Sequence, residues 1–161
     1  MRRALIALSF LITYTTAADT VIKYGANVAK DDEPLGSTKA FFVAEQEHWF
    51  GPFTRQYEFG GWFDNSGVSG RRNSALIGAS LGVNVNAGYL YGQALFGPAL
   101  ISRTDSNLGG HLQFNTDVAV GLRDPKSGNT IGLAYKHVSS AGLASPNKGR
   151  DLIMFRVSIP W

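Results

Sequence analysis

Beyond Ala18, apolar residues recur at every second position in short stretches broken by clusters of Gly, Pro, Asn, Asp and Ser. A period of two sends successive side chains to opposite faces of a strand, so each stretch suits a sheet with a different medium on either side. Eight stretches can be drawn, at about 20–29, 38–47, 53–63, 74–84, 88–99, 110–122, 130–140 and 151–161. In the sixth, Leu112, Phe114, Thr116, Val118, Val120 and Leu122 share one face, and Gln113, Asn115, Asp117 and Arg123 the other. In the fourth, Ala75, Ile77, Ala79, Leu81 and Val83 oppose Gly78, Ser80 and Gly82. The last sets Asp151, Ile153, Phe155, Val157, Ile159 and Trp161 against Arg156 and Ser158.

The connections at 30–37, 64–73, 100–109 and 141–150 are long and polar, whereas those at 48–52, 85–87 and 123–129 are shorter or carry tight-turn residues. An even number of strands, alternating long and short connections, and apolar-out, polar-in patterning together predict an all-β fold, an eight-stranded antiparallel up-and-down transmembrane β-barrel. The aromatic Trp161 after an alternating run fits the same class, resembling the sorting signature of outer-membrane barrels. A secreted antiparallel barrel or sandwich is the competing class, because the first, second and fifth stretches alternate imperfectly.

Residues 1–18 have the layout of a signal peptide: basic Arg2 and Arg3, an apolar run from Ala4 to Ile12, then small residues before an expected cut after Ala18. That division leaves 19–161 as the barrel. Without Arg2 and Arg3 the thirteen remaining basic residues face twelve acidic ones, so a net charge of about +1 replaces the formal +3 and gives no reason to expect nucleic acid. The chain has no cysteine, which excludes disulfides and thiolate chemistry. No later segment approaches the roughly 20 apolar residues of a membrane helix.

The seventh stretch carries the chemistry. Ile131, Leu133 and Tyr135 define its outward face, and the same parity places His137 and Ser139 there, two residues apart, while Gly132, Ala134 and Lys136 point inward. Asp151 opens the eighth stretch on its outward face, and an antiparallel hairpin across 141–150 brings it near His137 and Ser139. Ser, His and a carboxylate are the parts of an acyl-transfer triad: the imidazole takes the hydroxyl proton and the acid orients the ring. The Gly142 amide and the Asn147 side chain lie in the intervening loop as candidate oxyanion donors, and Phe114 on the neighbouring strand is a candidate wall for an acyl chain. Interfacial polar residues at a barrel rim are the ordinary reading of the same pattern.

The segment H-V-S-S-A-G-L-A-S-P-N-K-G-R-D, from His137 to Asp151, resembles the signature of the PagL-type lipid A 3-O-deacylases, which shows His-x-Ser-Asn-Ala-Gly-Leu, then Pro-Asn-x-Gly and a Glu. Ala141, Gly142, Leu143, Pro146, Asn147 and Gly149 match as well. The resemblance implies an outer-membrane serine esterase that removes the 3-position acyl chain of lipid A, with His137 as base, Ser139 as nucleophile and Asp151 where the family has Glu. Asp is one methylene shorter and is expected to lengthen the contact to His137. Ser140 replaces the family's Asn and is expected to loosen the loop. Lipid A in the outer leaflet and the membrane are the expected partners, a homodimer is open to such a barrel, and neither cofactor nor metal is expected. Two alternatives stand beside this: a non-enzymatic adhesion or membrane-stabilising barrel, and an esterase acting on another lipid.

Other residues have plainer expectations. His48, Trp49 and Phe50 read as an interfacial aromatic belt, and His111, Glu45, Glu47, Glu58 and Arg55 as members of a lumen network. Arg71, Arg72, Arg103, Lys148 and Arg150 are expected to put positive charge on the outer rim, where lipid A phosphates would meet it.

Overall fold

The computed structural model describes residues 18–29 and 34–161, so the segment expected to be cleaved lies outside the described residues except for Ala18. The strands are β1 (Ala18–Asn27), β2 (Thr38–Phe50), β3 (Phe53–Asp64), β4 (Ser74–Ala87), β5 (Leu90–Ile101), β6 (Leu112–Arg123), β7 (Thr130–Ser139) and β8 (Arg150–Pro160). Each pairs antiparallel with its chain neighbour, and β8 closes on β1, so the sheet has no free edge. The expected barrel is therefore the fold, with the first and last described residues joined at one end by the Trp161 N–H donating to the Ala18 carbonyl at 3.0 Å.

Patterning explains the closure. Outward Phe59, Ile77, Leu81, Phe96, Val120 and Leu133 are each more than half exposed, a surface suited only to hydrocarbon. Glycine lets the strands close: at Gly82 a Cβ would stand 1.9 Å from the Ala94 carbonyl oxygen, and at Gly97 2.0 Å from that of Ala79. Short turns at Gly51–Pro52 and Gly88–Tyr89 put glycine at positive φ, 54° and 62°. Exposed Trp49, Tyr89 and Trp161 ring that end, which is the periplasmic side of a barrel of this kind, while the long loops cover the other.

Inside, the mid-barrel is ionic, and an apolar cluster lies nearer the loop end beside the buried Arg150. Lys23 and Lys136 both pair with Glu58 and Asp117, two cations against two anions, all fully buried or nearly so. Arg156 donates to Thr130 Oγ1 at 2.8 Å and to Gln46 Oε1 at 3.0 Å. Above them Phe42, Trp62, Leu76, Ile101, Leu108 and Leu152 form an apolar plug.

Some strand ends differ from expectation for local reasons. β1 stops at Asn27 because that side chain leaves the ladder to serve the loop, accepting from the Thr38 N–H at 2.9 Å and donating to the Pro34 carbonyl at 2.9 Å. β4 runs on through Asn84 and Asn86, whose turn propensity is overridden by pairing with Gln93 and Tyr91. β6 starts at Leu112, and His111 is exposed in the preceding loop, its Nδ1–H donating to the Ile101 carbonyl at 2.8 Å instead of joining a lumen network.

The lumen assignment also fails for Glu45, Glu47 and Arg55; of that set only Glu58 is inside. β2 places Phe42, Ala44 and Gln46 inward, so Glu45 and Glu47 face out, and Glu47 pairs across the strands with Arg55. Trp49 takes its place in the aromatic belt, but His48 turns inward to Asp19, with 3.4 Å between Nε2 and Oδ2; the Phe50 side chain lies outside the described residues. Arg150 is not on the rim: its fully buried guanidinium donates to Asp105 and Thr38 and lies 5.0 Å from the Trp62 ring.

Candidate active site

The β7–β8 hairpin sets His137 directly opposite Asp151, and the β6–β7 ladder sets Ser139 opposite Phe114. All four side chains face outward at the long-loop end of the wall. His137 Nδ1 stands 2.6 Å from Asp151 Oδ1, so the imidazole donates to the carboxylate. The shorter acid therefore does not lengthen the contact, because the two residues are register partners and need no extra reach. The carboxylate is well covered, with its side chain 15% exposed against 34% for the imidazole. With the proton on Nδ1, Nε2 keeps its lone pair for a neighbouring hydroxyl.

Ser139 is half-buried one same-face step beyond His137. Among the described residues its hydroxyl has no hydrogen-bond partner. Beside it, Phe114 stacks on Phe96 with centroids 5.8 Å apart and planes 4° from parallel, giving an aromatic platform next to the serine.

The 140–149 loop is held from within and from its neighbour. Ser140 is fully buried, its N–H donating to Asn147 Oδ1 at 2.8 Å and its hydroxyl to the Ala144 carbonyl at 3.0 Å. The expected loosening at Ser140 is thus absent; its hydroxyl is an internal clamp. Leu143 N–H closes a turn onto the Ser140 carbonyl at 2.9 Å, with Ala141 and Gly142 at φ 51° and 84°. The β5–β6 loop braces this loop through the Gly109 N–H to the Pro146 carbonyl at 2.7 Å and the Lys148 N–H to the Asn107 carbonyl at 3.0 Å. Because Asn147 Oδ1 is engaged, Nδ2 is the group that side chain can offer to a ligand, and Gly142 is exposed.

Two neighbours of the pair make contacts there that the sequence did not assign to them. The Tyr135 hydroxyl donates to Asp151 Oδ1 at 2.6 Å, and Gly149 backs onto the imidazole. Tyr135 was legible as a same-face neighbour of His137, but its bond to Asp151 follows only from the hairpin register.

The sequence pattern of the family described as lipid A 3-O-deacylase (PagL) matches residues 35–160. In structure, the chain is similar to the crystal structure of the outer membrane enzyme PagL, with a TM-score of 0.70 and 20% identity over 89% of this chain and 99% of that one. It is also similar to Ail, the attachment invasion locus protein of Yersinia pestis, with a TM-score of 0.56 and 10% identity over 91% and 100%. No curated protein sequence matches it. The structural likenesses establish the barrel, and the family pattern spans most of it, including the segment from His137 to Asp151: the chain belongs to the PagL family of lipid A 3-O-deacylases, ester hydrolases of the outer membrane.

Proposed function

We propose that Ser139, His137 and Asp151 are the triad of this deacylase. Ser139 Oγ attacks the carbonyl of the 3-position acyl ester while His137 Nε2 takes the hydroxyl proton. The tetrahedral oxyanion is met by the Gly142 amide and Asn147 Nδ2, and its collapse breaks the ester C–O bond as His137 returns the proton to the departing sugar hydroxyl. Water, deprotonated by the same imidazole, then releases the fatty acid from Ser139. Asp151 fixes the ring tautomer and balances the imidazolium charge. Phe114 and Phe96 line the path of the acyl chain.

The observation that carries this reading is the 2.6 Å His137–Asp151 contact on the outer wall, one same-face step from Ser139, because ionisable residues joined on a membrane-facing wall mark a functional site. A lumen filled by Lys23, Lys136, Glu58, Asp117 and Arg156 admits no lipid, so access is lateral. Exposed Arg72, Arg103 and Lys148 in the outer loops supply charge for the lipid A phosphates, and the segment through Ala18 serves as the export signal.

Purified protein in detergent micelles, assayed on lipid A, tests the triad. Ser139→Ala and His137→Ala are expected to lower kcat by at least about a thousandfold, and Asp151→Ala by less. A Ser139→Ala protein that turns over at the wild-type rate would remove Ser139 from the mechanism.

A further inference from the structure

We infer that Tyr135 is a positioning residue for this hydrolysis, holding the Asp151 carboxylate in the orientation that His137 needs; the inference rests on the triad reading above. Tyr135 pairs with Ile153 in the β7–β8 ladder, which makes Asp151 its diagonal neighbour, within reach of a long side chain. Its hydroxyl donates to Asp151 Oδ1 at 2.6 Å, the same oxygen that receives His137 Nδ1–H at 2.6 Å. A carboxylate oxygen carries two lone pairs and accepts both donors.

The second bond answers a specific weakness. The terminal torsion of Asp is soft, and each further donor to Oδ1 narrows its swing. A second donor, anchored on the same strand as His137 and two residues from it, pins Oδ1 between two rigid rings. Placing a charge on the apolar wall is costly unless it is hydrogen-bonded, and Tyr135, itself partly exposed to that wall, satisfies its own hydroxyl by the same contact.

The test is a double-mutant cycle in micelles on lipid A, with folding of every variant confirmed by far-ultraviolet circular dichroism. Tyr135→Phe keeps the ring and removes only the hydroxyl. It is expected to lower kcat by about 10- to 100-fold while KM stays within about twofold, and to change nothing further in an Asp151→Ala background. An unchanged kcat for Tyr135→Phe, or an equal loss with and without Asp151, overturns the positioning role and leaves the triad standing. Asp151→Ala with the wild-type kcat overturns the triad reading itself.

Discussion

Gly149 lies against His137 so closely that a Cβ at this position would stand 2.7 Å from the imidazole Cε1 and 3.4 Å from Nε2. Gly149 also holds φ at +74°, so any side chain there meets backbone strain and a ring collision together. The loop thus forms a wall that keeps the imidazole turned toward Asp151. Gly149→Ala is expected to cost roughly 1–2 kcal/mol of stability from the backbone alone. Its kcat should fall by a further factor of about ten or more as the ring is displaced, which steady-state assay beside a urea titration would separate.

Asn147 has two tasks that one substitution can divide. Asp in its place keeps an oxygen for the Ser140 N–H, now 2.8 Å from Oδ1, but removes the Nδ2 donor. Asn147→Asp should therefore unfold like wild type and lose about 10²- to 10³-fold in kcat. Equal losses of stability and activity would make Asn147 a loop clamp only.

Phe114 faces Ser139 across the β6–β7 ladder and stacks on Phe96. Phe114→Ala should leave the barrel folded and alter the rate most for the longest acyl chains, measured with lipid A species that differ in acyl length. A uniform change across chain lengths would show that the ring merely contacts bulk lipid.

The buried ionic cluster is structural and lies on the lumen side of the wall, across the strand from the site. Lys136→Met leaves Lys23 alone to face both Glu58 and Asp117, and losing one partner from a buried set costs about 3–5 kcal/mol. Urea titration should show that loss, with kcat per folded molecule unchanged.

Much of the barrel was legible because lipid and lumen impose opposite demands on adjacent residues, as in β6 and β7, where parity alone assigned Lys136 inward and His137 and Ser139 outward. Parity was harder to read in β2, where Phe41 and Phe42 are adjacent aromatics, and Glu45 and Glu47 went to the wrong face. Arg150 read as a loop cation because its partners, Asp64 and Asp105, come from distant segments. Asp151 was placed by the hairpin, but the shared oxygen that joins it to both Tyr135 and His137 needed the exact register, which length and composition of the 140–149 loop do not specify.

The most direct test of the central claim is mass spectrometry of lipid A from cells making either the wild-type chain or Ser139→Ala, with equal amounts of each in the outer membrane. Loss of one hydroxyacyl group with wild type and an intact lipid A with Ser139→Ala is the predicted result. The same loss with both proteins would contradict the assignment of Ser139 as nucleophile, and intact lipid A with both would contradict deacylation by this chain.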